Sequence, residues 1–147
     1  MSTTATDTIN SLLRGEISAT ETYNQALEKF AGQTEEAELR RLRDAHRETA
    51  NTLRQHVHAH GDQPATGSGL WGTWATFVEG TAKVFGKTAA LKALKEGEDH
   101  GVKQYQSALE DKDLAADCKA LIRTKFLPQA QGHIPALDRL MSAQSSS

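Results

Sequence analysis

Apolar residues recur at helical spacing along almost the whole chain, and two of the stripes they draw carry a carboxylate. Ile9, Glu16, Tyr23 and Phe30 follow one another at intervals of seven, with Leu12, Leu13, Thr20 and Leu27 beside them. Leu91, Glu98 and Tyr105 repeat the interval, with Leu94, Val102 and Leu109 beside them. A spacing of seven keeps residues on one face of a helix. The pattern predicts a first helix from about Asp7 to Ala31, stopped at Gly32. Thr34 is expected to cap a second helix, with Glu35 and Glu36 in its first turn. The stripe of that helix is Leu39, Leu42, His46, Ala50, Leu53 and Val57, and Gly61 ends it. A third helix is expected from about Thr88 to Glu110. Asp113 is expected to cap a fourth, which carries Leu114, Leu121, Ile122, Phe126, His133, Leu137 and Leu140. Pro128 and Pro135 each remove a backbone donor, and Gly132 weakens the same stretch, so a kink or break near Pro128 is expected.

Loop lengths set the topology. The first and second helices are separated by a few residues, as are the third and fourth, and each pair must form an antiparallel hairpin. Between the hairpins, from about 61 to 87, the chain is long enough to run the length of a bundle. Gly, Asp, Pro and Ser dominate its start. A short amphipathic helix follows from Leu70 to Phe85, with Trp71, Trp74, Val78 and Phe85 along one side. Hairpin, long crossover and hairpin together predict an all-α, ferritin-like four-helix bundle rather than an up-down-up-down one. The 147 residues fit one domain, 1–147, with an ordered core over about 7–141.

The two helices with a carboxylate on the stripe also resemble one another. Gly15-Glu16, Tyr23, Ala26 and Leu27 return in order and spacing as Gly97-Glu98, Tyr105, Ala108 and Leu109. The partner helices complete the parallel. His46 stands four before Ala50 and seven before Leu53, and His133 stands four before Leu137 and seven before Leu140. Each hairpin therefore offers an inward Glu from its first helix and an inward His from its second. A buried carboxylate needs a metal, a cationic partner or a proton.

These residues resemble the ferritin-like superfamily, in which each hairpin gives a Glu from one helix and a Glu-x-x-His from the next to hold two metals. Glu16 and Glu98 match the lone glutamates, Tyr23 and Tyr105 fit the helices they follow, and His46 and His133 match the histidines. The Glu-x-x-His positions, however, read Arg43-Asp44-Ala45-His46 and Ala130-Gln131-Gly132-His133, so both bridging glutamates are missing. More closely, the chain is similar to small bacterial ferritin-like proteins known only as a domain of unknown function. Glu21-Thr22-Tyr23, the Gly-Ser and Trp-containing crossover, the run Glu96 to Asp99, and His133 carry that similarity. It implies a fold and a metal-binding ancestry without an established activity.

Three readings of the polar set follow. Glu16, His46, Glu98 and His133 could bind one or two ions of Fe, Mn or Zn. Alternatively the groups satisfy one another, with Arg43 pairing with Glu16 or Glu98. Or the glutamates lie at the solvent edge. The resulting expectation is a stress-related, weak metal-binding or interaction protein without catalysis; the rival is a di-metal carboxylate oxidase or ferroxidase. The missing glutamates lean against an enzyme.

Other features add little chemistry. His56 and His60, four apart at the end of the second helix, could meet a metal on one face, though solvated imidazoles at a helix C-terminus are the simpler expectation. His100 reads as a surface residue. Trp71 and Trp74, with Phe77, either pack the crossover on the bundle or join subunits into a homo-oligomer. A formal net charge of −2 gives no basic footprint for nucleic acid. No apolar run approaches the ~20 residues of a membrane span. The lone Cys118 cannot form an internal disulfide, which favours a reducing, cytoplasmic setting. Phosphate-loop, nucleophile-elbow and paired-Cys motifs are absent.

Overall fold

The computed structural model describes residues 3–67 and 86–146, and every regular element among them is helical. α1 spans Thr3–Lys29, α2 Glu36–Ala59 and α3 Lys87–Leu109. The fourth column has three parts: α4 Ala116–Leu121, a π-turn at Ile122–Phe126, and α5 Leu127–Ser146. The expected stripes are the buried ones. Ile9 and Tyr23 on α1, Phe30 just past its end, and Leu39, Leu42, Leu53 and Val57 on α2 are almost wholly removed from solvent.

Side-chain contacts fix the direction of each helix. Near the start of α1, Thr6 donates to Asp62, just past the end of α2 (2.9 Å), so α1 and α2 run antiparallel. Thr8 donates to Asp111, just past the end of α3 (2.7 Å), so α1 and α3 are antiparallel as well. Hence α2 and α3 are parallel. That is the ferritin-like arrangement. The start of the chain between them is tied to α1 by Asn10, which donates to the Gln63 carbonyl (3.0 Å) and accepts from the Ala65 amide (2.9 Å). The expected short helix from Leu70 to Phe85, with Trp71, Trp74, Phe77 and Val78, lies outside the described residues.

Two caps differ from expectation. α2 begins at Glu36, and its flanking residue Glu35 makes no side-chain cap. The Thr34 hydroxyl is spent on Glu35 Oε1 (2.8 Å), and the Glu36 carboxylate reaches back to the Gly32 amide (2.7 Å). α4 begins at Ala116 rather than after Asp113, whose amide instead closes a turn onto Asp111 Oδ1 (2.9 Å). The kink expected at Pro128 takes the form of the π-turn. The Leu127 amide donates to the Ile122 carbonyl five residues back. This reorganises the backbone ladder just ahead of a proline that cannot donate. α5 then continues through Pro135.

The apolar interior is split in two. One half gathers Ile9, Leu13, Leu53, Val57, Ile122 and Phe126. The other gathers Phe30, Leu39, Leu42, Leu91, Leu94 and Leu137. Between them, at mid-height, lie the polar residues of the stripes.

Candidate metal centre

Mid-helix positions on α1, α2, α3 and α5 bring Glu16, His46, Glu98 and His133 together. They are 7%, 6%, 3% and 4% exposed, which rules out a location at the solvent edge. His46 is the hub. Its Nδ1 stands 2.5 Å from Glu16 Oε2 and its Nε2 stands 2.6 Å from Glu98 Oε1. An ionised carboxylate can only accept, so with both glutamates ionised both ring nitrogens carry hydrogen and the ring is an imidazolium. Burial works against that charge, but Glu98 and Glu16 outweigh it and hold the His46 pKa well above the ordinary 6.5. Burial likewise pushes the Glu98 carboxyl up, and is outweighed by the His46 charge and by the hydrogen bonds from His133 and His46. The net shift is far below the ordinary carboxylate range.

The tyrosines cross over. Tyr23, on the helix of Glu16, donates to Glu98 Oε1 at 2.7 Å, and Tyr105, on the helix of Glu98, donates to Glu16 Oε1. Each repeat thus serves the glutamate of the other. Burial first, and then the facing carboxylate, hold both phenols protonated well above 10.0. Tyr23 also stacks on the His46 ring, centroids 5.4 Å apart, a favourable seat for an imidazolium.

Histidine breaks the symmetry. His133 Nδ1 approaches Glu98 Oε1 at 3.2 Å, whereas its Nε2 is buried with no hydrogen-bond partner. Donor atoms of His46, Glu98 and His133 lie within 4.8 Å of one another, a set that could hold one metal ion. Beside them Glu16, Glu98, His46, Tyr105 and Ala130 line a cavity of about 20 Å³. That is room for about one water-sized occupant. Arg43 does not reach the glutamates. It turns outward to Asp44 Oδ1 (3.1 and 3.0 Å) and Asn24 Oδ1 (3.1 Å), so the cation of the centre is His46 itself.

Residues 4–111 match the family described as Domain of unknown function (DUF2383). The chain belongs to that family. Curated proteins and solved structures gave no match. The DUF2383 span takes in Glu16, Tyr23, His46, Glu98 and Tyr105, while Ala130 and His133 follow it.

A second polar cluster was only half visible in the sequence. His56 and His60 project from the end of α2 with ring centroids 4.7 Å apart, and Asp117 of α4 faces both. Burial holds the His56 pKa below 6.5; the Asp117 charge opposes this and the neighbouring His60 adds to it. Asp117 lies far away along the chain, so no spacing rule could attach it to the pair. His100 is exposed, as expected, and so is His58. Cys118 is fully buried, and burial, then Asp117, push its thiol up to about 11, which leaves it unreactive. Among the described residues no helix is long and apolar enough to cross a membrane.

Proposed function

We propose that this DUF2383 protein is a metal-handling bundle whose buried centre exchanges a proton for a single divalent transition-metal ion. The observation that carries this reading is the position of His46, a cation clasped between two buried carboxylates. With Glu16 and Glu98 ionised and His46 protonated, the centre retains one negative charge, and buried net charge is costly. A divalent ion replacing the ring proton leaves the centre neutral. His46, Glu98 and His133 would hold it, with Glu16 close by, a mixed imidazole and carboxylate set suited to Zn, Fe or Mn. When bound, the ion supplies positive charge and Lewis acidity.

The chain's own residues define how weak that binding is. The gap of 2.6 Å between His46 Nε2 and Glu98 Oε1 suits a shared proton and must widen before both atoms can face one ion. Tyr23 and Tyr105 neutralise part of the carboxylate charge by donation and keep the oxygens oriented. A two-ion oxidase centre is the weaker reading, because Arg43 points outward and Ala130 brings no carboxylate to the cavity.

Anaerobic titration of the metal-free chain with Co(II), followed by visible spectra and bound-metal analysis, tests the proposal. The ring resonances of His46 and His133 should shift with one equivalent, and protons should be released. Glu98→Gln keeps the shape of the side chain and should weaken that event by about tenfold or more. Unshifted His46 and His133 rings, or binding there unaffected by Glu98→Gln, would defeat it.

A further inference from the structure

We infer that His56, His60 and Asp117 form a second, independent site for a borderline divalent ion of the Zn(II) class, which staples the first hairpin to the second. The two imidazoles come from one face of α2 and the carboxylate from α4, so three groups from different hairpins converge. His56 Nε2 stands 3.7 Å from Asp117 Oδ1 and His60 Nε2 stands 3.8 Å from Asp117 Oδ2. Those separations are too long for hydrogen bonds. They are close to what a shared ion requires: ligands at about 2.0–2.1 Å around a tetrahedral centre stand about 3.3–3.4 Å apart. The two gaps to Asp117 need close by only a few tenths of an ångström, the three donor atoms already lie within 4.8 Å of one another, and the exposed Asp117 and His60 side chains can move to complete the set.

A second observation singles the cluster out. His56 Nε2 is buried yet has no hydrogen-bond partner, although a donor or acceptor removed from water is ordinarily satisfied. It points into the one place where the other two groups wait. The backbone around it favours a cation as well. α2 ends here, with the His60 and Gly61 amides closing onto the His56 and His58 carbonyls (3.3 and 2.9 Å). The negative end of the α2 dipole therefore lies beside the cluster. Two imidazoles with one carboxylate and an open position for water suit Zn(II), Co(II) or Ni(II) rather than Mg(II) or Ca(II). The ion would sit at the bundle end where the fourth column begins, away from the mid-height centre, and would join α2 to α4 across the hairpin boundary.

The test uses the untagged full chain, titrated with Zn(II) and followed by histidine ring NMR and by thermal unfolding. One equivalent should shift the His56 and His60 rings, a response read separately from those of His46 and His133. At about 100 times Kd, Zn(II) should raise Tm by roughly 5–10 °C. His60→Ala removes an exposed ligand, and Asp117→Asn keeps the side-chain oxygen that accepts the Cys118 amide. Both variants should unfold like the wild type without metal, yet bind Zn(II) at His56 more than about tenfold more weakly and lose the part of the Tm rise that this site supplies. The proposal is overturned if the His56 and His60 rings stay unmoved at a tenfold excess of Zn(II). It is also overturned if His60→Ala retains the full Tm rise.

Discussion

Each buried glutamate depends on the tyrosine of the opposite repeat, but the two dependences are unequal. Glu98 Oε1 accepts from Tyr23, His46 and His133, so removing one donor leaves two. Glu16 Oε1 accepts from Tyr105, and the His46 bond falls on the other oxygen. A buried carboxylate oxygen stripped of its donor costs more than one that keeps a partner. Tyr105→Phe is therefore expected to lower stability by about 2–3 kcal/mol and Tyr23→Phe by about 1 kcal/mol, measured by urea unfolding. Equal losses would show that the number of donors left on each carboxylate oxygen does not set the cost. The same asymmetry explains how far the centre could be seen in the sequence. A single carboxylate within each apolar stripe of seven-residue spacing announced burial, and the duplicated Glu and Tyr announced a pseudo-two-fold relation. Which histidine lies between the glutamates could not be read, because it depends on how each helix is rotated about its axis, which sequence spacing does not set. Arg43 misled for the same reason. It stands one turn from His46 in sequence, but its side chain leaves the core at Asn24 and Asp44.

At the scale of elements, periodicity located all four columns to within a few residues, while their ends followed local hydrogen bonding. Thr34 and Asp113 have the chemistry of caps, yet the Thr34 hydroxyl and the Asp113 amide are engaged elsewhere. The prolines of the fourth column signalled an interruption. They could not specify a π-turn, whose first and last residues, Ile122 and Phe126, are packed into the core. Glycine makes the distinction between ends and interiors testable. Gly61 terminates α2 with φ +79°, where a side chain is strained although nothing lies within 4 Å of the added carbon. Gly61→Ala should thus destabilise by about 1–2 kcal/mol through backbone strain alone. Gly132 sits inside α5, also with open space around it, and Gly132→Ala should stabilise by about 0.5–1 kcal/mol. Thermal unfolding of the pair, with shifts of opposite sign, checks both.

For the whole molecule, the polar centre draws one side chain from each of the four columns and lies between two apolar half-cores. Its charge state should therefore appear in global stability. The His46 pKa is raised in the folded state, so its contribution is complete below the ordinary value of 6.5 and is lost as pH rises through the higher folded value. The Glu98 pKa is depressed, so its contribution is complete above the ordinary value of 4.5 and is lost as pH falls toward the lower folded value. The two windows overlap between 4.5 and 6.5, which places the stability maximum of the metal-free protein on the acid side of neutrality. Breaking such a buried pair costs about 3–5 kcal/mol, so both limbs should be steep enough to resolve. Urea unfolding from pH 3 to pH 9 in the presence of a chelator reads the dome directly. Glu98→Gln should lose that residue's share of the acid limb and keep the alkaline limb, because Glu16 still holds the His46 proton. A divalent ion that replaces that proton should remove the alkaline limb, since stability then no longer depends on keeping the ring protonated. If instead metal-free stability rises steadily from pH 6.5 to pH 9, His46 does not carry the charge on which the centre is built.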